Sequence, residues 1–379
     1  MTFALSAEQR DFGIALHELL TDADVPAAAR AWATADHAPG LAIWRSLSKA
    51  GVTALAAPAS FGGLGAHPVD LVVACEELGH HPLPGPIAES VAAVPQLLAE
   101  LARPQRRPAE PRAGQAGEWL AALAAGEMIA TLAMPPQLPY AVDADIAGLV
   151  LLVNGATSAP AGPGALASSA ADVGGYAVWR ALPQGRLEST DRARRLFEVE
   201  PAQSLASDQA LAGDQAPASG PAIGPGVARA ISYGTLASAA QLLGAGRALL
   251  EATTSYARQR EQFGRPIGAF QAVKHALADV LIGLEFARPL LYAAAIALGN
   301  DAPVAARDIS AARVACADAA LRAGRTALQV HGAIGYTQEC DLSLWLAKVR
   351  ALAATWGSQA EHRAVVLAAL TTDRTGPWS

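Results

Sequence analysis

The sequence predicts a mainly α-helical protein with a small β domain at its centre. Apolar residues from Leu236 to Leu291 recur every three to four positions, or multiples of that spacing, as one face of a helix requires. From about residue 128 to 228 the pattern changes to short apolar runs separated by turn-formers, as in strands. At 379 residues the chain exceeds a usual single core, so two or three domains are expected. The predicted division is 1–127 for an N-terminal helical domain, 128–228 for the β domain and 229–379 for a C-terminal four-helix bundle.

In the first domain Ser6 is placed to N-cap a helix that begins at Ala7, and a later helical run passes through Trp44 toward Gly51. Pro58 to Gly65 is a glycine-rich turn. The helical stretch from Val69 ends in Glu76, Glu77, Leu78 and Gly79, before the breakers Pro82, Pro84 and Pro86. In the middle domain Ile129 to Ala133, Gly148 to Val153 and Tyr176 to Trp179 read as strands. Between them, the segments from Gly155 to Gly164 and from Ser204 to Pro225 are rich in Ala, Gly, Pro and Ser, too poor in apolar surface to pack, and expected to be mobile.

The bundle's first helix carries Leu236, Ala240, Leu243, Leu250 and Ala257 and runs into Arg258 and Arg260. Phe263, Gly264 and Pro266 break it, and the spacing restarts at Val273, Leu277, Val280, Leu281, Leu284 and Leu291. Val314, Leu321 and Leu328 mark a third helix. Leu342, Trp345, Leu346, Val349 and Leu352 mark a fourth, with Val365, Val366 and Leu370 continuing helical beyond Gly357.

A formal charge of −6 gives no electrostatic footprint for nucleic acid. The 52% hydrophobic content is largely alanine, with no uninterrupted apolar run of about 18 residues for a membrane span. Acidic and polar residues stand near the N-terminus where a secretory segment needs an apolar block, so a cytoplasmic protein is expected. Cys75, Cys316 and Cys340 are too scattered for a disulfide framework, and read as buried apolar groups or a reactive thiol. No His or Cys cluster has metal-ligand spacing.

Two turns carry candidate chemistry. Arg260 can pair bidentately with a phosphate and Phe263 can cover a flat ring. The same residues also fit a helical hairpin with solvated charges. In the turn that follows Gln329, Gly332 and Gly335 let backbone approach a ligand closely, and the glutamine amide can bond pyrophosphate or adenosine oxygens. Those glycines would equally end a helix.

Taken together, these residues resemble the flavin-binding signature of the acyl-CoA dehydrogenases. Arg260, Phe263, Gly264, Ile267, Phe270, Gln271, Ala278 and Asp279 stand at the family's spacing, and Gln329, Gly332 and Gly335 form its Gln-x-x-Gly-x-x-Gly turn. Gly357, Ser358 and Gln359 stand where the family has a Gly-Thr-Ser turn near the adenine. The turn at Pro58 to Gly65, the helix end at Glu76 to Gly79 and the exit through Pro82, Pro84, Gly85 and Pro86 match its N-terminal pattern in order. The resemblance covers nearly the whole chain. It implies a helical domain, a small β-barrel and a four-helix bundle. It also implies FAD as cofactor, contacted by Arg260, Phe263, Gln271, Gln329, Gly332, Gly335 and Ser358, with the arginine and glutamine turns serving the flavin of a neighbouring subunit. An acyl-CoA substrate, an electron-transfer acceptor and a homo- or hetero-oligomer with a related chain follow from it.

In such enzymes a carboxylate removes the α-proton of the thioester and the β-hydrogen leaves as hydride to the flavin, giving a trans-2-enoyl-CoA. Here the two family positions for that base hold Trp356 and Gly234, neither of which accepts a proton, so no catalytic residue is assigned. Glu361 and Glu251 are the nearest carboxylates, and solvated helix faces explain both. In the β domain Ala130 to Pro136 stands where the family has its Thr-Glu-Pro motif, and the family's flavin-covering strand is not evident, although Trp179 falls in the right domain. The implied reading is a subunit of a bacterial heteromeric acyl-CoA dehydrogenase that takes its base from a related chain. The alternatives are a homo-oligomer with an unrecognised base and a non-catalytic scaffold of the same fold.

Overall fold

A computed structural model describes residues 5–103, 111–155, 175–207, 223–337 and 339–372. Helices α1 (Ala7–Asp22), α2 (Val25–Ala33), α3 (Ala38–Lys49), α4 (Pro68–His80), α5 (Val94–Leu101) and α6 (Pro111–Ala124) form the N-terminal part. Ser6 caps α1 as expected: its Oγ accepts from Gln9 N at 3.2 Å while Gln9 Oε1 accepts from Ser6 N at 3.0 Å. Ahead of α5, Ala88–Ala93 winds as a π-helix, a geometry that clusters at functional sites.

The described strands are β1 (Ala130–Ala133), β2 (Ala141–Val142), β3 (Leu149–Gly155), β4 (Tyr176–Leu187) and β5 (Leu196–Ser207). The expected small barrel takes the form of a mixed sheet in the order β1-β3-β4-β5-β2, with β1 parallel to β3 and the other pairs antiparallel. Its edges approach each other, since Val142 N donates to Thr131 Oγ1 at 3.2 Å. Of the two segments expected to be mobile, Ser204 to Ser207 belongs to β5 and Gly224 onward to the next helix. Residues 156–174 and 208–222 lie outside the described residues.

The C-terminal part holds α7 (Gly224–Gln259), a hairpin of β6 (Glu261–Gln262) and β7 (Arg265–Pro266), then α8 (Gln271–Gly299), α9 (Ala305–His331), α10 (Leu342–Ala353) and α11 (Gln359–Thr372). At 36 residues α7 is about 54 Å long and is the spine of the molecule. It crosses α4 closely because Gly79 and Gly244 carry no side chain; a Cβ at either would run into the other helix's backbone. One apolar core joins the N-terminal helices to the bundle, and a smaller one lies in the sheet around Val150, Leu152 and Phe197. Trp179 packs on that smaller core. Cys75 and Cys316 are buried, and burial pushes both thiols up to about 12, so they pack as apolar groups.

Helix α8 is long and apolar enough to cross a membrane by length and composition, with a mean hydropathy of 1.6 in its most apolar window. Its inner face carries Val280, Leu284, Ala287 and Leu291 in the core. The outer face leaves Leu281, Ile282, Phe286 and Leu290 exposed, Phe286 by 73%.

Candidate functional site

The positions where the resemblance expects a base meet in space. Trp356, in the turn between α10 and α11, is only 3% exposed, and its indole lies over Gly234 of α7 so closely that a Cβ there would collide with the ring. Its backbone sits in the left-handed region at φ 57°, an outlier for a bulky residue. Two buried side chains hold it there. Arg313 of α9 donates from Nη2 to Leu352 O at 2.7 Å and to Thr355 O at 2.8 Å. His362 Nε2 donates to Trp356 O at 2.8 Å, which leaves Nδ1 to accept from Ser310 Oγ at 3.2 Å. Burial pushes the His362 ring down to about 4, so it stays neutral.

On its other side the indole meets charged residues that the sequence reading did not single out. Glu89, from the π-helix, is buried and lines a small cavity with Trp356; burial pushes its carboxyl above the usual range. Arg194 Nη2 lies 3.8 Å from Glu89 Oε1. Lys348 of α10 is buried, donates to Leu83 O at 2.7 Å, and is lowered by that burial. Among these residues the cavity is about 10 Å³, room for about one water. A signal was available for Glu89, a single charge in an otherwise apolar helical stretch, which is seldom buried without a purpose.

The nearest carboxylates flagged in the sequence are otherwise engaged. Glu361 Oε2 accepts from Ser358 N at 2.7 Å while Ser358 Oγ accepts from Glu361 N at 3.2 Å, the box that starts α11. Glu251 Oε2 accepts from His80 Nε2 at 2.8 Å. In β1, the buried Thr131 hydroxyl is taken up by Val142 N.

The candidate cofactor residues gather at the far end of α7. Tyr256 stacks on His331 with ring centroids 4.2 Å apart, bringing the ends of α7 and α9 together. Arg260 follows one turn after Tyr256, its backbone N–H on Tyr256 O at 2.8 Å and its side chain exposed. Phe263 and Gly264 form the two-residue loop of the β6–β7 hairpin, both with positive φ, as a type I′ turn requires. Gly264 meets that demand freely; Phe263 does not, and holds its ring 92% exposed. Gln271 opens α8 and Gln329 lies in the last turn of α9, both exposed. Gly332 adopts φ 64° and ψ −139°, with no atom near the place of a Cβ, so bare backbone faces open space. Gly335 instead packs against His331, Leu328 and Leu342.

Ser358 is not at that end. It adjoins Trp356, which touches Gly234, and Gly234 precedes Tyr256 by 22 positions of one continuous helix, a distance of about 33 Å. Within one chain the structure therefore brings Arg260, Phe263, Gln271, Gln329 and Gly332 together and leaves Ser358 and Trp356 apart from them.

Residues 6–107 match the family described as acyl-CoA dehydrogenase, N-terminal domain, and residues 226–371 match acyl-CoA dehydrogenase, C-terminal domain. The acyl-CoA dehydrogenase IpdE2 of Mycobacterium tuberculosis is 30% identical over 321 residues, 84% of each chain. The butyryl-CoA dehydrogenase of Megasphaera elsdenii superposes with a TM-score of 0.75 at 19% identity, covering 98% of this chain and 100% of that one. The ChsE4-ChsE5 complex from Mycobacterium tuberculosis superposes with a TM-score of 0.73 at 22% identity over 100% of both chains.

Proposed function

This chain belongs to the acyl-CoA dehydrogenase family, and from that premise we propose that it is the base-lacking subunit of an FAD-dependent enzyme completed by a related chain. The reaction is α,β-dehydrogenation of an acyl-CoA thioester to the trans-2-enoyl-CoA. The observation that supports this most is the Trp356 indole over Gly234: one side chain without a basic atom fills the place of both family bases. The cavity beside it, about 10 Å³, has room for about one water.

The far end of α7 fits a flavin dinucleotide. An exposed ring on a strained backbone at Phe263, an exposed guanidinium at Arg260 and open glycine backbone at Gly332 are what a flat, phosphorylated ligand would cover. Arg260 would pair with the pyrophosphate, Gln271 and Gln329 would donate amides, and Ser358 would serve the opposite end of a second site. When bound, FAD supplies the hydride acceptor. Because those two ends are about 33 Å apart in one chain, each flavin site is assigned residues from two subunits. The exposed stripe of Leu281, Ile282, Phe286 and Leu290 on α8 is assigned to that assembly rather than to lipid, since its other face is already in the core. IpdE2 is named an acyl-CoA dehydrogenase and ChsE4-ChsE5 a complex of two named chains, which accords with a two-chain enzyme.

A second reading, with Glu89 as an unrecognised base, rests on its buried, raised carboxyl, but the cavity that it lines with Trp356 has room for about one water. The test is the visible absorption spectrum of the purified chain, alone and with a related chain from its genomic neighbourhood, before and after anaerobic addition of acyl-CoA esters. Flavin that bleaches only with the partner is expected. Bleaching by this chain alone would support the Glu89 reading, and no flavin in either preparation would leave a scaffold.

A further inference from the structure

Three histidines and a glutamate converge where α1 lies against the end of α4. One ring nitrogen each of His17, His80 and His81 and a carboxylate oxygen of Glu77 lie within 4.8 Å of one another. The ring centroids are 5.0, 5.0 and 5.1 Å apart, tilted or edge-on rather than stacked. His17 Nδ1 is 2.9 Å from Glu77 Oε2, and Glu77 Oε1 accepts from Arg247 at 3.0 Å. His80 Nε2 donates to Glu251 Oε2 at 2.8 Å, which leaves the lone pair of the neutral ring on Nδ1. That Nδ1 and the Nε2 of His81 are buried with no hydrogen-bond partner. Two unpartnered ring nitrogens in one buried cluster are an unmet demand for a ligand.

We propose that His17, Glu77, His80 and His81 bind a divalent transition-metal cation of the zinc class, with His80 Nδ1 and His81 Nε2 among the donors. Imidazoles with one carboxylate are a donor set that zinc accepts, and four protein ligands make a closed, structural site. Glu251 on the far nitrogen of His80 supplies the carboxylate that orients a metal-bound histidine and strengthens it as a ligand. Charge is also favourable. Glu76, Glu77 and Glu251 outnumber the two guanidinium groups of Arg247 and Arg288, so the three rings sit in a field with negative charge to spare.

The donors need to close only a little. In a tetrahedral zinc shell neighbouring donors are about 3.4 Å apart. The widest pair here, at no more than 4.8 Å, would therefore contract by about 1.4 Å. His17, with its side chain 43% exposed, is free to make that movement. Its ring is 60 positions from Glu77 in the chain, which is why no ligand spacing shows in the sequence. The bound cation would clamp α1 to α4 and, through Glu251, to α7.

The test uses the full chain, stripped with a chelator and titrated with zinc chloride or cobalt chloride. One zinc per chain after gel filtration, a higher melting temperature, and the intense visible absorption of tetrahedral cobalt are the expected results. His17→Gln, at a half-exposed ring, and His81→Gln should each weaken binding by more than tenfold, and Glu251→Gln by about tenfold with stoichiometry unchanged. No saturable zinc binding by the unaltered chain overturns the proposal. So does a cobalt spectrum that both histidine variants leave unchanged.

Discussion

Replacing Trp356 by glutamate puts a carboxylate back at a family base position and tests whether that alone makes this chain an enzyme. The indole is 3% exposed, and removing a buried aromatic of that size costs about 3–5 kcal/mol, partly offset by the new side chain. The carboxylate would then lie near Glu89, whose carboxyl is already pushed up by burial. Two like charges about 4 Å apart repel by about 4 kcal/mol at an effective dielectric constant of about 20, equivalent to about three pKa units. One of the two carboxyls therefore stays protonated near neutral pH. The rest of the constellation would still be divided between the two ends of α7. Trp356→Glu alone is expected to melt at a lower temperature than the unaltered chain and to leave its flavin oxidised when acyl-CoA is added without oxygen. The assay is the loss of visible flavin absorbance over time, run beside the unaltered two-chain complex. Turnover by the single variant within tenfold of that complex would refute the split-site reasoning and mark the chain as a homomeric enzyme lacking only its base.

Arg260→Ala should lower flavin retention in the assembled protein, read as the flavin-to-protein absorbance ratio after gel filtration; unchanged occupancy refutes the pyrophosphate contact. Phe286→Asp puts a charge on the exposed stripe of α8 and should shift the assembly toward single chains in light scattering, whereas an unchanged mass would move the interface elsewhere. Burial raises the Glu89 carboxyl, so the folded state binds its proton more tightly than the unfolded chain and loses stability as pH rises through that window. Glu89→Gln should then stabilise the protein in urea at pH 7 and have little effect at pH 4. Glu77 has the opposite sign: burial pushes it up, but Arg247 and His17 outweigh that and hold it below its ordinary value. Its contribution is complete above the ordinary carboxylate range and is lost as pH falls through the folded value, so Glu77→Gln should flatten the acid limb of a stability curve.

The elements legible in the sequence were those whose signals are local. The capping box at Ser6, the break at Gly264 and Pro266 and the long stripes of α7 and α8 each depend on residues within a turn or two of one another. Strand β5 was hidden because Ser204 to Ser207 opens a stretch whose small polar composition resembles a linker, and only pairing with β4 makes it a strand. In the candidate site, the residues near Arg260 and Gln329 could be read because they lie in two short turns. The contact of Trp356 with Gly234, and the approach of Glu89 to Trp356, join residues far apart in the chain, and no periodicity encodes them. The histidine cluster was missed for the same reason.

The turn at Trp356 is also where the structure accepts unfavourable terms. Arg313 is buried and uses Nη2 for Leu352 and Thr355, while its Nε and Nη1 are buried without partners. Each such donor costs about 1–3 kcal/mol. Burial brings even this guanidinium down to about 10. Add the left-handed backbone of a tryptophan, and the turn is held against several kcal/mol of local cost, of order 1–3 for the backbone alone. A helix connection does not need the left-handed tryptophan, since a glycine at 356 would relieve the backbone. Local cost of this kind clusters at functional sites, and the indole that the turn presents has no basic atom, which accords with the proposed two-chain enzyme. That pairing is the physical reason to look for the reacting carboxylate on a second chain, because the framework is fixed here as if one were expected at its edge.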